Sequence, residues 1–268
     1  MNKKIGFIGY GNMASAIACG IANDGLVNPK DIFVMDVDDE KNKEALKTGF
    51  ITLHTPAVVA SSVDVLVLAV KPYHYVEVIA EIKDVITPDT IIVSIAAGLT
   101  IETLESYFDT PVKLVRTMPN TPALVGIGMT AIMPGTHMRD ADIKIIEELF
   151  KAVGKTEIVD EDLIEAVIVT SGSSPAYIYM MIEAMVKGGM AEGMTRAMAT
   201  NFVTQAVMGA AQMVISSDEL PNKLRDNVCS PNGTTIEAVK SLQKDNFEEI
   251  VMTAMKACAE RSREMAKE

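Results

Sequence analysis

The sequence predicts an α/β protein in which an N-terminal doubly wound sheet is followed by an all-helical C-terminal region. Short apolar runs alternate with helix-like segments up to about residue 160, and the apolar spacing then becomes helical throughout. A glycine turn joins the first apolar run to the first helix. We therefore expect two domains, over residues 1–160 and 161–268.

The first apolar run, residues 5–8, leads into Gly-Tyr-Gly-Asn-Met-Ala at residues 9–14. The two glycines allow a sharp turn and a close approach of backbone to a pyrophosphate, and the alanine is the small third position where the helix packs on the strand. The N-terminus of the helix, expected over residues 12–24, offers unpaired N–H groups to phosphate. A turn used for packing only is the alternative. We interpret the stretch as a dinucleotide site formed by Gly9, Gly11, Asn12, Met13 and Ala14.

A second strand over residues 31–36 ends in Asp36, which is suited to accept a hydrogen bond from an adenosine ribose 2'-hydroxyl. No arginine flanks it, and a carboxylate 4 Å from a 2'-phosphate would repel it by about 4 kcal/mol at an effective dielectric of 20. This favours NADH over NADPH, unless Lys41 or Lys43 reaches back toward the phosphate. The alternative is that these acids form a solvated helix start, in a helix that runs through Lys47.

A third apolar run, residues 64–70, is typical of a strand buried on both faces of a parallel sheet. Ligands of open α/β sheets bind beyond the carboxyl ends of the strands. We therefore expect the residues at the end of this run to border the cofactor. For Lys71, which follows the run, the alternative is a solvated lysine at a strand exit. The residues assigned are Ala69, Val70, Lys71 and Pro72.

Further strands are expected over residues 90–95, 112–116, 131–133 and 156–159, with helices after Tyr73, after an N-cap at Thr100, and over residues 140–153. The prolines of residues 117–122 predict an extended loop in which an asparagine amide is free. Such an amide suits a carboxamide like that of nicotinamide, although a plain rigid turn is possible. The cofactor residues assigned here are Met118, Pro119 and Asn120.

Helical spacing covers residues 162–172, 175–193, 196–216, 235–243 and 247–267. Methionines crowd this half of the chain, and a methionine stripe indicates an adaptable core or a subunit interface. The helices are too apolar to be buried by one another in so few residues. The pattern therefore predicts a dimer interface.

Composition narrows the class of protein. A net charge of −12 argues against nucleic acid or an anionic membrane surface as the main partner. Three distant cysteines fit reduced thiols and have no metal-ligand spacing, so we expect no metal site. Because the sequence also lacks a signal peptide and an apolar run of about 20 residues, we expect a cytoplasmic protein without a membrane partner. The three histidines are expected to be surface or packing residues.

A second glycine-containing stretch, residues 227–235, precedes another helix. Small polar residues at a helix start form a nest of N–H donors that can hold a carboxylate, and two threonine hydroxyls add donors. The simpler alternative is an N-cap, for which one threonine suffices. The length of the loop favours a ligand site.

Five motifs together resemble the successive signatures of the pyrroline-5-carboxylate reductase family, in the family's order and over nearly the whole chain. They occupy residues 9–14, 69–72, 116–122, 171–177 and 230–235. The resemblance implies a Rossmann domain, a helical domain interlocked with a partner in a homodimer or larger homo-oligomer, and reduction of a cyclic imino acid, 1-pyrroline-5-carboxylate, to L-proline by NADH or NADPH. That reaction is the last step of proline biosynthesis.

The resemblance also implies roles for individual residues. Ser230, Gly233 and Thr234 would hold the substrate carboxylate, Thr235 would hydrogen-bond the imine nitrogen, and Asp218 would feed a proton relay. The chain departs from the family pattern at Asn232 and Ser174, where glycines are usual. Asparagine is the least costly substitute if that position needs a positive φ, whereas the serine would narrow the nicotinamide pocket.

Two other functions fit parts of the sequence. A β-hydroxyacid dehydrogenase has the same layout but needs a lysine acid on the helix between its domains, and residues 171–185 contain none. A nucleotide-sensing protein would need only the N-terminal domain, and it would have no use for a carboxylate nest.

Overall fold

The computed structural model describes residues 1–265. These residues form two compact units. Unit 1 comprises residues 1–172 and 259–265, and unit 2 comprises Ser173–Cys258. Unit 1 holds the sheet, and the described elements of unit 2 are helices. The domain boundary expected after residue 160 stays a prediction, since the compact units divide at Gly172.

The eight strands of unit 1 form one sheet in the order β3-β2-β1-β4-β5-β6-β7-β8. Neighbours from β3 to β6 are parallel, β6 and β7 are antiparallel, and β7 and β8 are again parallel. The predicted doubly wound sheet is confirmed. Its strands are β1 Ile5–Ile8, β2 Ile32–Met35, β3 Ile51–Thr52, β4 Val65–Leu68, β5 Ile91–Ser94, β6 Lys113–Pro119, β7 Gly128–Pro134 and β8 Gly154–Ile158.

Helices cover both faces of the sheet because successive strand residues point to opposite sides. In β4, Val65 and Val67 pack into one hydrophobic cluster, while Leu66 and Leu68 pack into another on the opposite face. The helices of this unit are α1 Asn12–Asn23, α2 Asp39–Lys47, α3 Pro56–Ala60, α4 Tyr75–Ile82, α5 Ile101–Ser106, α6 Asp140–Lys151 and α7 Ile164–Val167.

The sheet reverses direction at β7, which the sequence analysis did not anticipate. Only residues 120–127 join β6 to β7, and they contain a single 3-10 turn at Thr121–Val125. A parallel neighbour needs a crossover of about a dozen residues or more, so this connection permits only an antiparallel hairpin. The extended loop predicted over residues 117–122 is wrong for residues 117–119, which form the end of β6 and pair with β7.

Several short elements also differ from the prediction. β3 and α3 were not expected, because two strand residues and five helical residues are too short to show a period. The helix expected over residues 162–172 is three pieces: a 3-10 turn at Glu161–Leu163, α7, and a π-helical turn at Ile168–Gly172. The apolar spacing was correct, but it does not distinguish these helix types.

Unit 2 contains long helices with short connections. They are α8 Ser174–Ala191, α9 Arg196–Ser216, α10 Pro221–Val228 and α11 Thr234–Lys244, followed by α12 Phe247–Met265, which begins in this unit. α10 was not predicted, and its last two residues had been assigned to the glycine loop. The predicted end of the last helix, Lys267, lies outside the described residues. Within residues 1–265, no helix is both long and apolar enough to cross a membrane.

Candidate functional site

The turn after β1 is built around Gly9, whose φ is +90°. A Cβ at this position would lie 2.8 Å from the carbonyl carbon and oxygen of Ala69, which follows β4. The N–H of Gly9 donates to the carbonyl of Met35 at the end of β2, 2.8 Å away. Only glycine fits this position, because the turn is held between the ends of β2 and β4, the two strands that flank β1.

Gly11 plays a different part, as the N-cap of α1. Its backbone is extended, with φ −73° and ψ −174°, and no side chain caps the helix. None of the described atoms lies within 4 Å of the position that a Cβ would take. The first N–H groups of α1 are therefore accessible, and residues 12–15 carry no acidic side chain, so a phosphate can approach this helix end.

Asp36 fastens the glycine turn to the end of β2. One carboxylate oxygen accepts from the backbone N–H of Tyr10 at 2.6 Å, and the other accepts from that of Asp38 at 2.9 Å. The Asn42 amide in turn bonds the backbone N–H and the carbonyl of Asp36, at 3.0 and 2.8 Å. The carboxylate is thus held in one orientation, and each oxygen keeps a further lone pair for a ligand.

These parts border one cleft at the carboxyl ends of β1, β2 and β4, with a volume of about 950 Å³. Its size and position suit a dinucleotide. Ten of the thirteen residues assigned to the cofactor from the sequence line it together: Gly9, Gly11, Asn12, Met13, Ala14, Asp36, Ala69, Val70, Lys71 and Pro72. Their roles in binding stay predictions.

The other three, Met118, Pro119 and Asn120, are not among the residues lining this cleft. The expectation that the Asn120 amide is free is wrong. Its nitrogen donates to the carbonyl and hydroxyl of Ser171, both at 3.2 Å, and its oxygen accepts from the N–H of Met129 at 2.9 Å. The amide ties the β6–β7 hairpin to the π-helical turn, a contact between distant segments that local spacing does not reveal.

The cleft also contains residues that the sequence analysis did not assign to it. His74, at the start of α4, lines the cleft together with Glu77, Val78 and Glu81 of that helix, at helical spacing from one another. The His74 ring nitrogen lies 3.4 Å from a carboxylate oxygen of Glu77. The repeat of three or four residues after the Lys-Pro pair is the available signal, but by itself it predicts only a helix.

Unit 2 carries the second predicted site, the loop between α10 and α11. Asn232 adopts a φ of 58°, which confirms that this position needs a positive φ and explains why asparagine replaces glycine. The loop is closed by a hydrogen bond from the Gly233 N–H to the Ser230 carbonyl at 3.0 Å. Gly233 is the N-cap of α11, and its extended backbone has a φ of −81°.

This cap changes the interpretation of the two threonines. Thr234 and Thr235 are the first two residues of α11, and neither is the capping residue. Among residues 1–265, no side-chain hydrogen bond involves Ser230, Thr234 or Thr235. The alternative that a threonine serves as the N-cap is wrong. Asp218 is exposed in the connection between α9 and α10, and its role stays a prediction.

Comparison with known proteins agrees across the whole chain. The family model described as pyrroline-5-carboxylate reductase dimerisation matches residues 161–265, and one described as NADP oxidoreductase, coenzyme F420-dependent, matches residues 4–98. The pyrroline-5-carboxylate reductase of Escherichia coli is 42% identical and covers 100% of both chains. That of Arabidopsis thaliana is 38% identical and covers 98% of this chain and 95% of its own.

Solved structures agree with the sequence relatives. A pyrroline-5-carboxylate reductase from Coxiella burnetii superposes with a TM-score of 0.92 at 34% identity, covering 99% of each chain. A Plasmodium falciparum pyrroline carboxylate reductase with NADP bound gives 0.90 at 32% identity, covering 99% of this chain and 98% of its own. Prephenate dehydrogenase from Aquifex aeolicus, with 14% identity and a TM-score of 0.54, shares the fold alone.

Proposed function

The chain belongs to the pyrroline-5-carboxylate reductase family, and from this premise we propose how its residues carry out the reduction of 1-pyrroline-5-carboxylate to L-proline with NAD(P)H. The reduced nicotinamide supplies a hydride to the imine carbon. The protein therefore has to bind two molecules, hold them in position and supply a proton. Unit 1 binds the cofactor and the loop before α11 binds the imino acid.

The cleft of unit 1 holds the dinucleotide through its backbone. Gly9 brings the turn against β4, and the open N-terminus of α1 beyond Gly11 receives the pyrophosphate. Lys71, at the exit of β4, adds a positive charge to the same cleft. The Asn120 amide supports the site through its three hydrogen bonds to Ser171 and Met129. Contact of Met118 and Pro119 with the cofactor remains part of the proposal.

The single observation that carries the substrate site is the glycine cap of α11. With Gly233 at the cap, the helix N-terminus has no side-chain oxygen on its N–H groups. A carboxylate is the natural ligand of such an end, because the N–H groups and the helix dipole both favour negative charge. Ser230, Gly233 and Thr234 surround the carboxylate in this proposal.

Proton transfer falls to hydroxyl and carboxyl groups. Thr235 donates its hydroxyl hydrogen bond to the imine nitrogen and so orients the ring for hydride attack at the adjacent carbon. As the ring nitrogen takes the Thr235 hydroxyl proton, a relay that includes Asp218 returns a proton from solvent to the Thr235 oxygen, as the family resemblance implies. Thr235 needs no ionisation to do this, because a hydroxyl both donates and accepts hydrogen bonds.

The enzyme works as a homodimer joined through the C-terminal helices, with larger homo-oligomers possible. Large apolar side chains on these helices are more than half exposed in the single chain, including Met180, Phe202, Met208, Ile215 and Ile250. Exposed apolar area on this scale marks an interaction surface. The match of residues 161–265 to a dimerisation model supports the same view and supports a domain boundary near residue 160.

The cytoplasm is the compartment that suits this chemistry. Cys19, Cys229 and Cys258 are all free thiols. Reduced thiols and a pool of reduced nicotinamide cofactor are both features of a reducing compartment.

The test is a direct assay of the purified protein with the imine and with each reduced cofactor. We expect the near-ultraviolet absorbance of the cofactor to fall only when the imine is present, and L-proline to appear in equal amount by mass spectrometry. Omission of the imine is the control for slow oxidation of the cofactor. No loss of absorbance with either cofactor would remove the proposed function.

A further inference from the structure

The end of β2 presents a carboxylate that the structure holds in place before any ligand arrives. The Asp36 carboxylate accepts hydrogen bonds from the backbone N–H groups of Tyr10 and Asp38, at 2.6 and 2.9 Å. The Asn42 amide hydrogen-bonds the backbone N–H and carbonyl of Asp36. The carboxylate lines the cofactor cleft. A group fixed in this way cannot turn aside from an approaching anion without breaking the glycine turn and the start of α2.

The helix α2 is nine residues long, and acidic side chains of the protein occupy its N-terminus, so that an anion is repelled there. Asp38 is its N-cap and accepts from the N–H of Glu40 at 2.9 Å. Asp39 and Glu40 stand in its first turn. α1 is the reverse case, with no side-chain cap and no acid in its first turn. One cofactor phosphate group can therefore be received at α1, and no second one at α2.

The nearby lysines are already paired. The Lys41 ammonium lies 2.8 Å from Glu44, and the Lys43 ammonium lies 2.7 Å from Glu40. The hydrogen bond to Glu44 raises the pKa of Lys41 above its usual value. No arginine occurs in residues 31–50. The lysines are thus engaged with the acids of α2 itself, and reaching a 2'-phosphate would require them to leave these exposed pairs.

The cleft carries further negative charge from the helix α4. Glu77 and Glu81 of α4 line it together with Asp36, against the single lysine Lys71 among the described lining residues. A 2'-phosphate on the adenosine ribose adds charge of the same sign as these carboxylates. Burying it among these three carboxylates with Lys71 as the one lining lysine would be costly, whereas a ribose hydroxyl can donate to Asp36.

We propose that Asp36, fixed by Tyr10 and supported by the Asp38 cap of α2, selects NADH over NADPH as the hydride donor of this enzyme. The proposal rests on the proposed function for the reaction but concerns binding alone. It separates this chain from the Plasmodium relative that was solved with NADP bound. Asp36 is both the partner of the ribose hydroxyl and the group that excludes the 2'-phosphate.

The test is a pair of fluorescence titrations of the full-length protein, one with NADH and one with NADPH, beside kcat/KM for each cofactor with the imine. We expect NADH to bind at least about tenfold more tightly, and kcat/KM to follow in the same direction. Equal affinities, or tighter binding of NADPH, would overturn the proposal. Selective NADH binding without imine reduction would leave it standing and remove the proposed function instead.

Two variants separate charge from support of the turn. Asp36→Asn keeps one oxygen for a backbone N–H and removes the charge, and Asp38→Ser keeps a good helix cap and removes the neighbouring charge. We expect the affinity ratio to move toward NADPH by roughly tenfold in the first and less in the second. Asp31→Asn, at the other end of β2, is the matched control and should leave the ratio unchanged.

The contrary outcomes are distinct. If Asp36→Asn weakens both cofactors equally and Asp38→Ser leaves the ratio alone, Asp36 only supports the turn and the proposal is wrong. If Asp36→Asn fails to fold, the Asp38→Ser ratio decides the matter by itself. A shift in Asp31→Asn as large as in Asp36→Asn would show that net charge, rather than this position, sets the preference.

Discussion

The two units of this chain bury apolar surface in different ways. In unit 1, every strand from β1 to β6 except the edge strand β3 places side chains in hydrophobic clusters on one or both faces of the sheet, under α1 and α6 on one side and α3 and α4 on the other. In unit 2, the buried apolar side chains among the described residues are Val186, Ala199 and Val203, at the contact of α8 and α9. The longer helices belong to the unit with the smaller core.

This difference shows that helix length and the size of the buried core are separate matters. A sheet with helices on both sides closes its own core within one chain. A helix that carries apolar residues around most of its circumference has to find a second surface, and unit 2 offers too few helices to supply it. The proposed dimer explains how the same sequence can contain one self-sufficient unit and one that needs a partner.

The largest effect is expected from a charge in the exposed apolar surface of unit 2. Phe202 on α9 is 64% exposed. We expect Phe202→Asp to weaken the dimer roughly a thousandfold or more, because two carboxylates related by symmetry would be desolvated in one interface. Sedimentation velocity over a range of protein concentrations measures the change.

The matched control is Val76→Asp on α4 of unit 1, where the side chain is 56% exposed. We expect this variant to remain as associated as the parent protein, because the surface of unit 1 is not needed to complete a core. Equal dissociation of both variants would remove the contrast between the units. A Phe202→Asp protein that stays dimeric would show that α9 lies outside the interface.

A smaller effect, on catalysis, separates the tasks of the two units. We expect Thr235→Ala to lower kcat roughly a hundredfold while the affinity for NADH stays the same, because the hydroxyl acts on the imine and the cofactor binds in unit 1. Thr235→Ser should restore much of the turnover. Steady-state kinetics beside cofactor titration checks both. A loss confined to cofactor binding would show that the assigned role is wrong.

The smallest effect concerns a buried ion pair inside unit 1. The Arg139 guanidinium, and then the Lys113 ammonium 3.3 Å away, hold the pKa of the Asp142 carboxyl below its usual range. A lowered pKa gives stability that is complete above the ordinary carboxyl pKa near ~4 and lost as the pH falls through the lower folded value. Asp142→Asn should therefore cost about 2 kcal/mol at neutral pH and progressively less in acid.

Urea unfolding at several pH values and at two protein concentrations measures this cost. Since the pair lies within unit 1, the difference between parent and variant should not depend on protein concentration, unlike the effect at Phe202. Asp109→Asn removes the exposed partner of Lys83 and should change little. A difference that stays constant into acid would mean that the Asp142 charge does not stabilise the fold.

The glycine turn and the loop before α11 were predictable because each shows in a short stretch of the chain. Gly9 and Asn232 both adopt the positive φ that these residue types allow. The Asn120 amide was not predictable in the same way. Its partners, Ser171 and Met129, lie 51 and 9 residues away and meet it only through the hairpin and the π-helical turn.

The sequence by itself determined the α/β class, the order of the main strands and helices, the turn at the cofactor cleft and the family. These depend on periodicity, small residues at tight turns and motif order, all of which are local. Only the tertiary structure decided that β7 reverses, that Gly233 rather than a threonine caps α11, and that Asp36 holds Tyr10 while Lys41 and Lys43 face other acids. The physical reason is that a hydrogen bond or ion pair depends on which groups meet in space, and the spacing of residues along the chain does not specify these meetings.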